Sequence, residues 1–207
     1  MSVKKLDELN PIQMDVLREI GNIGSGNAAT SLADMLSSPI DIGVPCVKTL
    51  DYNEVVEFIG GPENIVIGLL IRLTGDIKGM MMYILQSSFA NKITKTFYGK
   101  VLDDITNVDE LDKSAICEIG NIMAGSYVNA IAGLTGLTLD ISVPSFCVDM
   151  AGAILSVPAI EFAQVGDKVL FIDDNFMITD DEIKSNMILI PEMDSLALLF
   201  SKLGVEI

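Results

Sequence analysis

The hydrophobic positions of this chain form two similar helical patterns, one near the N-terminus and one in the middle of the sequence. In both patterns, apolar residues recur at three- and four-residue steps, which is the period of a packed helix. These residues are Ile12, Val16, Ile20 and Ile23 in the first pattern and Leu111, Ala115, Ile119 and Ile122 in the second. Asn10, which is followed by Pro11, and Asp109 are residue types that favour a helix start. We therefore predict helices that run to about Leu36 and Leu134, with the apolar residues facing the core.

The rest of the sequence predicts strands and shorter helices. The predicted strands are 40–50, 65–73, 79–85, 139–148, 169–172 and 187–190, and the predicted shorter helices are 88–98, 151–162 and 194–203. We expect the helix at 151–162 to be interrupted near Pro158. The acidic segment 173–182 lacks the glycine and the alternating ligands of a calcium loop, so it predicts a solvated loop. The pattern as a whole predicts an α+β fold in which helices pack on a largely antiparallel sheet.

A five-residue run, Glu-Ile-Gly-Asn-Ile, occurs at residues 19–23 and again 99 positions later at residues 118–122. Each copy continues to a Val-Pro pair, and the two pairs keep the same spacing. At this single offset, residues 15–47 and 114–146 share eleven identities in thirty-three positions. So many matches in one register indicate a duplicated unit.

The length of 207 residues, half of them hydrophobic, allows one domain with a sizeable core. We expect a single domain over residues 1–207, built from two pseudo-symmetric repeats of about 10–100 and 109–207. No apolar run reaches the roughly 18 residues of a membrane span, and the charged start is unlike a signal peptide. These features predict a cytoplasmic protein without membrane insertion.

The charge and the residue types exclude several classes of function. The formal net charge is −16, from 29 acidic and 13 basic residues, which argues against nucleic acid and anionic membranes as partners. The chain has no histidine, which excludes imidazole catalysis and metal sites built with histidine. Its three cysteines lack the spacing of a metal site. We therefore expect this chain to bind no metal.

A second line of residues along each predicted long helix is polar. These stripe residues are Asp15, Glu19 and Asn22 on the first helix and Ser114, Glu118 and Asn121 on the second. Each set falls within about 60° around its helix. A merely solvated face would keep its polarity while the residue types drifted, but Glu and Asn are identical in both copies. We therefore interpret the stripes as functional surfaces. We also expect Gly21 and Gly120, between Glu and Asn, to let another molecule approach closely.

The glycine-rich run at 21–26 superficially suggests a phosphate-binding loop. We reject this interpretation because the run lies within a helical pattern, and because Met123 replaces one of the glycines in the second copy. A carboxylate and an amide on one face make a poor self-contained active site. An amide can nevertheless hold a water molecule, since it both donates and accepts hydrogen bonds. Phosphoryl transfer needs little more than an aligned water and charge neutralisation, so the stripe suits hydrolysis of an aspartyl phosphate on another protein.

The stripes and the Val-Pro pairs resemble the signature of the CheC/CheX/FliY phosphatases of bacterial and archaeal chemotaxis, which reads [Asp/Ser]-x3-Glu-x2-Asn-x22-Pro. The matching residues are Asp15, Glu19, Asn22 and Pro45, and then Ser114, Glu118, Asn121 and Pro144. The resemblance covers nearly the whole chain and implies one compact CheC-like domain.

The resemblance also implies a substrate and catalytic residues. The substrate would be phosphorylated CheY, a response regulator that carries its phosphate on an aspartate beside bound Mg²⁺. Asn22 and Asn121 would each orient the attacking water. Glu19 and Glu118 would pair with the active-site lysine of CheY.

Further contacts follow from the same resemblance. Asp15 and Ser114 would lie at the edge of the contact with CheY, and this difference in residue type allows the two faces to differ in affinity. Members of the family also bind CheD, a receptor deamidase, and Asp149 and its helix are candidates for that contact.

Three other hypotheses compete with the phosphatase hypothesis. The first is a non-catalytic adaptor whose main task is to bind CheD and regulate its deamidase activity, and it is compatible with hydrolysis. A flagellar-switch component of the FliY type would need an additional domain. A shorter CheX-like protein would carry a single motif, so the chain length and the double motif oppose both of these.

Overall fold

The computed structural model describes residues 5–162, 166–178 and 181–205. Within these residues the chain forms six α-helices and eight β-strands. The helices are α1 (Pro11–Leu36), α2 (Tyr52–Phe58), α3 (Ser87–Tyr98), α4 (Glu110–Thr135), α5 (Ala151–Glu161) and α6 (Met193–Lys202). The strands are β1 (Ile40–Ile42), β2 (Cys46–Asp51), β3 (Ile65–Gly75), β4 (Gly79–Leu85), β5 (Leu139–Ile141), β6 (Ser145–Met150), β7 (Lys168–Ile178) and β8 (Asp181–Pro191).

The two repeats have the same order of elements and share one antiparallel sheet. Each runs helix, two short strands, helix, two long strands and helix. The short strands cross over: β1 and β2 of the first repeat pair with β7, while β5 and β6 of the second pair with β3. In the middle of the sheet, β4 of the first repeat pairs with β8 of the second, and Tyr83 lies opposite Met187. The predicted α+β fold with a largely antiparallel sheet is confirmed.

Helices cover both faces of this sheet. The helices α1, α3, α4 and α6 pack against alternate residues of the long strands, and α1 and α4 contact each other. The opposite face is covered by α2 and α5, which bury Val55 and Ile154 against Met82 and Ile84. The two helices that carry the polar stripes therefore lie side by side in one layer.

The starts of α1 and α4 are fixed by the same device in both repeats. Asn10 accepts a hydrogen bond of 2.9 Å from the backbone N–H of Gln13, whose side chain accepts one from the backbone N–H of Asn10. Asp109 and Asp112 form the equivalent pair in the second repeat. There, the hydrogen bond from the Lys100 ammonium lowers the pKa of Asp109 to about 2. The predicted helix starts are confirmed.

The first apolar residue of each predicted helical pattern does not face the core, although other members of both patterns are buried as predicted. Ile12 and Leu111 were expected in the core, but they are 66% and 57% exposed. In α1 the inward direction is taken by Gln13, Leu17 and Ile20, all of which are buried. Ile12 precedes Gln13 by one residue, or about 100° around the helix, and therefore lies on the outward side with the polar stripe.

The acidic segment at 173–182 is not the solvated loop that its composition predicted. Its described residues belong to β7 and β8, and Asp174 is buried. The prediction counted charges and did not foresee that hydroxyl groups from α1 and α4 would hydrogen-bond this carboxylate.

Two short helices also differ from the prediction. Pro158 does not interrupt α5, which continues to Glu161 with Pro158 itself buried. The segment predicted as one strand at 40–50 divides into β1 and β2, and an unpredicted helix, α2, follows Asp51. Asp51 starts α2 with a hydrogen-bonded cap to Glu54 at 2.9 Å.

Candidate functional site

The two polar stripes reach the surface as predicted. Five of the six side chains are exposed and one is half-buried: Asp15, Glu19, Asn22, Ser114 and Glu118, and then Asn121. Glu and Asn are three residues apart on each helix, a spacing that brings their Cβ atoms within about 5–6 Å. The structure thus places one carboxylate and one amide side by side on each of two neighbouring helices.

The Glu and Asn side chains are not held by other parts of the molecule. Within residues 5–162, 166–178 and 181–205, none of Glu19, Asn22, Glu118 and Asn121 has a side-chain hydrogen bond or ion pair. Burying such groups without partners would be costly, but at the surface they stay hydrated and free to bind another molecule.

The two stripes differ at their edges. Asp15 forms an ion pair of 2.7 Å with Arg18, one turn further along α1. In α4 the equivalent residues are Ser114 and Cys117, and burial raises the pKa of the Cys117 thiol, which therefore carries no charge at neutral pH. The first stripe has a carboxylate paired with a cation where the second has two neutral side chains.

The glycines between Glu and Asn do not face a partner, and that prediction is wrong. Both are buried, and both lie against the sheet. A Cβ atom at Gly21 would lie 2.8 Å from Cγ2 of Val47, and one at Gly120 would overlap Cδ1 of Leu69. Gly21 follows Glu19 by two residues, or about 200° around the helix, so it lies opposite the stripe. The glycines let each stripe helix lie close to the sheet.

A buried polar cluster joins the two stripe helices to the sheet. Ser25 of α1 donates a hydrogen bond of 2.5 Å to Asp174 of β7, and Tyr127 of α4 donates one of 3.0 Å to the other carboxylate oxygen. The hydroxyl oxygens of Ser25 and Tyr127 are also in contact with each other, so the three polar side chains form one compact group. Burial raises the pKa of Asp174 to about 6, and the two hydroxyl donors oppose this shift. Sequence analysis missed this cluster because its members lie far apart in the chain.

Each repeat also exposes two apolar residues whose exposure the sequence analysis missed. Ile12 and Leu111 precede the stripes by one turn of helix, and Val44 and Val143 precede the signature prolines. The two valines are 89% and 83% exposed. The signal was present in the sequence, because each pair is related by the same 99-residue offset as the stripes.

The candidate residues for a second contact lie on the other face of the sheet. Asp149 is exposed in β6 and accepts a hydrogen bond of 2.7 Å from the backbone N–H of Met150. The helix that follows, α5, has no charged residue before Glu161, and its exposed side includes Val157 and Ile160. A helix that is apolar all round is typical of an element covered on both sides.

Two features are absent from the described parts of the chain. No group of three or more histidine, cysteine, aspartate or glutamate side chains is arranged to hold a metal ion among these residues. No described helix has the length and apolar character needed to cross a bilayer.

Comparison with known proteins identifies the family. A family model described as the CheC-like family matches residues 12–48 and 111–148, the segments that contain both stripes. The CheY-P phosphatase CheC of Bacillus subtilis is 38% identical over 199 residues, which cover 94% of this chain and 95% of that protein. The chain belongs to the CheC-like family.

Other relatives of this CheC-like chain share parts of the pattern. The CheY-P phosphatase CheX of Thermotoga maritima is 28% identical, over 67% of this chain and 85% of that protein. The flagellar motor switch phosphatase FliY of Bacillus subtilis is 26% identical over 69% of this chain, but only 37% of FliY is covered. Among solved structures, Thermotoga maritima FliY superposes with a TM-score of 0.74 at 25% identity, covering 95% of this chain and 98% of that one.

Proposed function

We propose that this CheC-like chain is a phosphatase that hydrolyses the aspartyl phosphate of the response regulator CheY. The observation that carries the proposal is the pair of exposed Glu–Asn couples, which occupy equivalent places on α1 and α4 and have no partner within the described residues. The relatives named CheY-P phosphatase support it, above all the CheC of Bacillus subtilis, because that match extends over nearly both whole chains.

Each couple is suited to complete an active site that belongs to the receiver. The carboxylate of Glu19 or Glu118 pairs with a lysine of CheY and fixes the orientation of the complex. The amide of Asn22 or Asn121, one helical turn away, then reaches the phosphoryl group and holds a water molecule in line with the bond to be broken. The Mg²⁺ that neutralises the phosphate oxygens is bound by CheY.

The reaction is a hydrolysis that needs no group from this chain to change covalently. The water oxygen forms a bond to phosphorus while the bond between phosphorus and the aspartate oxygen breaks. The aspartate leaves with the electron pair as a carboxylate, and the proton lost by the water is taken up by phosphate or solvent. The asparagine contributes only by positioning, which is the main contribution available in phosphoryl transfer.

We also propose that α5 binds CheD. The support is the apolar outward side of α5, which ends in Val157 and the 77% exposed Ile160, next to Asp149 at the end of β6. This surface and the stripes lie on opposite faces of the sheet, so one molecule of this chain can bind both partners at once. An adaptor role towards the CheD deamidase is therefore compatible with phosphatase activity.

Phosphate release from a phosphorylated CheY-type receiver tests the main proposal. Wild type is compared with Asn22→Ala, Asn121→Ala and the double variant, each at saturating receiver. We expect the double variant to lose at least roughly a hundredfold of the acceleration, as is common when a positioned hydrogen-bonding group is removed from a transition state. The single variants measure how much of the acceleration depends on α1 and how much depends on α4.

The opposite result is equally informative. If wild type does not accelerate phosphate release, alone or with CheD, the phosphatase proposal is wrong and the adaptor hypothesis takes its place. Thermal unfolding of each variant serves as the control for folding, and because Asn22 is exposed its replacement should leave the midpoint within the range of a surface substitution.

A further inference from the structure

Each repeat exposes two aliphatic side chains that come from different elements. In the first repeat these are Ile12, one turn before Asp15 on α1, and Val44, in the loop between β1 and β2. In the second they are Leu111 and Val143. Single exposed hydrophobic residues are normal on a protein surface. Here the same two positions are exposed in both repeats, at the same spacing in sequence from the Glu and Asn of each stripe.

The strand that follows each loop valine packs against or beside the stripe helix of its repeat. Val47, three residues after Val44, packs directly against Gly21, on the side of α1 that faces the sheet. Three residues of extended chain span about 10 Å, so Val44 stands within that distance of the packing contact. In the second repeat Phe146, three residues after Val143, lies under the ammonium group of Lys113, which precedes Ser114 on α4.

We propose that Ile12 with Val44, and Leu111 with Val143, form an apolar rim around each Glu–Asn couple that contacts the phosphorylated receiver and supplies most of its affinity. The inference rests on the proposed function, because the rim continues the surface that is assigned to CheY. The partner that the rim contacts is therefore the receiver domain, at the surface around its phosphorylation site.

The charge of this chain explains why such a rim is needed. With a net charge of −16, and with Asp15 and Glu19 inside the first stripe, the surface repels a partner whose own site is built from carboxylates and phosphate. Attraction between Glu19 and one lysine is local and is weakened by solvent. Apolar side chains that lose water on contact supply affinity without regard to charge, and at the edge of an interface they also keep water away from its centre.

The rim predicts a change in affinity without a change in the chemical step. An aliphatic side chain that becomes buried in an interface corresponds to roughly a tenfold change in affinity. In a background where Glu118→Ala and Asn121→Ala silence the second repeat, Ile12→Ser and Val44→Ser should each raise KM roughly five- to tenfold. The rate at saturating receiver should stay at the parent value, because Glu19 and Asn22 are intact.

Two matched variants control for the substitution itself. Val101→Ser removes a comparably exposed valine that belongs to neither rim, and it should leave KM unchanged. Ile12→Leu keeps an aliphatic side chain at the rim and should keep KM within about twofold of the parent. If Ile12→Ser and Val101→Ser shift KM equally, or if Ile12→Leu is as weak as Ile12→Ser, the rim proposal is overturned.

Equilibrium binding separates the rim from the catalytic proposal. The probe is a CheY-type receiver loaded with Mg²⁺ and beryllium fluoride, a mimic of the aspartyl phosphate that is not hydrolysed. We expect the fourfold variant Ile12→Ser, Val44→Ser, Leu111→Ser, Val143→Ser to bind this receiver at least roughly fiftyfold more weakly than wild type. Wild-type affinity in the fourfold variant would overturn the rim whatever its hydrolytic rate. A wild type that binds the receiver through the rim but does not hydrolyse CheY-P would overturn only the phosphatase proposal.

Discussion

The outward sides of α1 and α4 carry the same Glu and Asn side chains, whereas the outward sides of α2 and α5 carry different residue types. The same internal duplication relates both pairs of helices. The stripe helices keep Glu and Asn at equivalent positions and bury the intervening glycine in the same way. On the other face of the sheet, α2 exposes Glu54 and Glu57, and α5 exposes Ala153 and Ser156 at the equivalent positions.

This difference indicates which surface has the same function in both repeats and which surface has a function in only one of them. Packing requirements are alike on both sides, since Val55 and Ile154 are both buried at equivalent positions. The inward residues therefore give no reason for the loss of charge on α5. Both helices expose one apolar residue at an equivalent position, Phe58 and Val157. In α2 it lies among glutamates, which favour solubility, whereas α5 lacks these charges and exposes Ile160 as well, which suits a contact. The duplicated stripes thus suit two sites of the same kind, and α5 suits a single different one.

The largest predicted effect comes from substitutions that remove the difference in charge between α2 and α5. Ala153→Glu with Ser156→Glu gives α5 the two outward carboxylates of α2. We expect CheD binding to fall at least roughly a hundredfold, because two charges would have to be desolvated in an apolar contact. Hydrolysis of CheY-P without CheD should be unchanged, since the stripes lie on the opposite face. Titration with CheD and phosphate-release assays on the same preparation measure both effects.

The exchange also has an internal control in the first repeat. Glu54 caps α2, so Glu57→Ser is the suitable reciprocal change, and it should alter neither CheD binding nor hydrolysis. If the grafted α5 still binds CheD with wild-type affinity, α5 is not the contact, and the asymmetry must have another cause.

A second asymmetry lies in the core and predicts a pH-dependent stability. Asp174 is the seventh residue of β7, and the seventh residue of the equivalent strand β3 is Ile71, which is also buried. Burial raises the pKa of Asp174 to about 6 from an ordinary value of 3.8. The folded state therefore holds this proton more tightly than the unfolded state, and the stability linked to it is present below about pH 4 and lost as the pH rises to about 6.

The variant Asp174→Asn isolates this contribution because it cannot titrate. The difference in unfolding free energy between wild type and Asp174→Asn should change by about 2–3 kcal/mol between pH 4 and pH 6.5, with wild type relatively less stable at the higher pH. Denaturant unfolding at a series of pH values measures it. Asp140→Asn, at an exposed position, is the control for the loss of one formal charge. A flat difference for Asp174→Asn would mean that the carboxylate is compensated fully by Ser25 and Tyr127.

These cases show which parts of the structure the sequence could predict. Helix starts depend on neighbouring residues, so Asn10 and Asp109 were enough to place α1 and α4. The β3–β4 hairpin and the end of α3 at Gly99 were predictable for the same reason. The burial of Asp174 depends on Ser25 and Tyr127, which are 149 and 47 residues away in sequence. Local patterns cannot indicate such a contact, and β7 was accordingly cut short in the prediction.

For the candidate site, the sequence predicted which residues form the stripes but not which side of each helix its neighbours face. The stripe residues were found because the duplication repeats them, and their exposure agrees with the prediction. Their catalytic roles stay a prediction. The direction of Gly21 was predicted wrongly, because residue spacing does not reveal which side of a helix meets the sheet when both sides carry small or apolar residues. Exposure of Ile12 was missed for the same reason.

The glycine of each stripe helix provides a test with a smaller expected effect. If the glycine allows the helix to pack on the sheet, replacing it lowers stability, whereas a glycine needed for the approach of a partner would affect activity. Gly120→Val places side-chain atoms where Leu69 lies, so we expect a loss of about 1–3 kcal/mol in unfolding free energy. If the glycine instead served only the approach of a partner, activity would fall and stability would not. Gly125→Val is the matched control on the same helix, because a Cβ there meets nothing within 4 Å. Thermal unfolding of both variants, followed by phosphate release, separates the two explanations.

The smallest predicted effect concerns the one ion pair that distinguishes the stripes. Arg18→Ala leaves Asp15 without its cation and makes the edge of the first stripe resemble the second, where Cys117 stands in place of arginine. Both side chains of the pair are more than half exposed, so solvent screens their attraction and the loss in unfolding free energy should stay below about 0.5 kcal/mol. The loss should shrink further in about 1 M salt, where the Debye length is about 3 Å. A salt-independent loss above about 1 kcal/mol would instead indicate that the methylene groups of Arg18 pack on the helix, and the two stripes would then differ in structure and not only in charge.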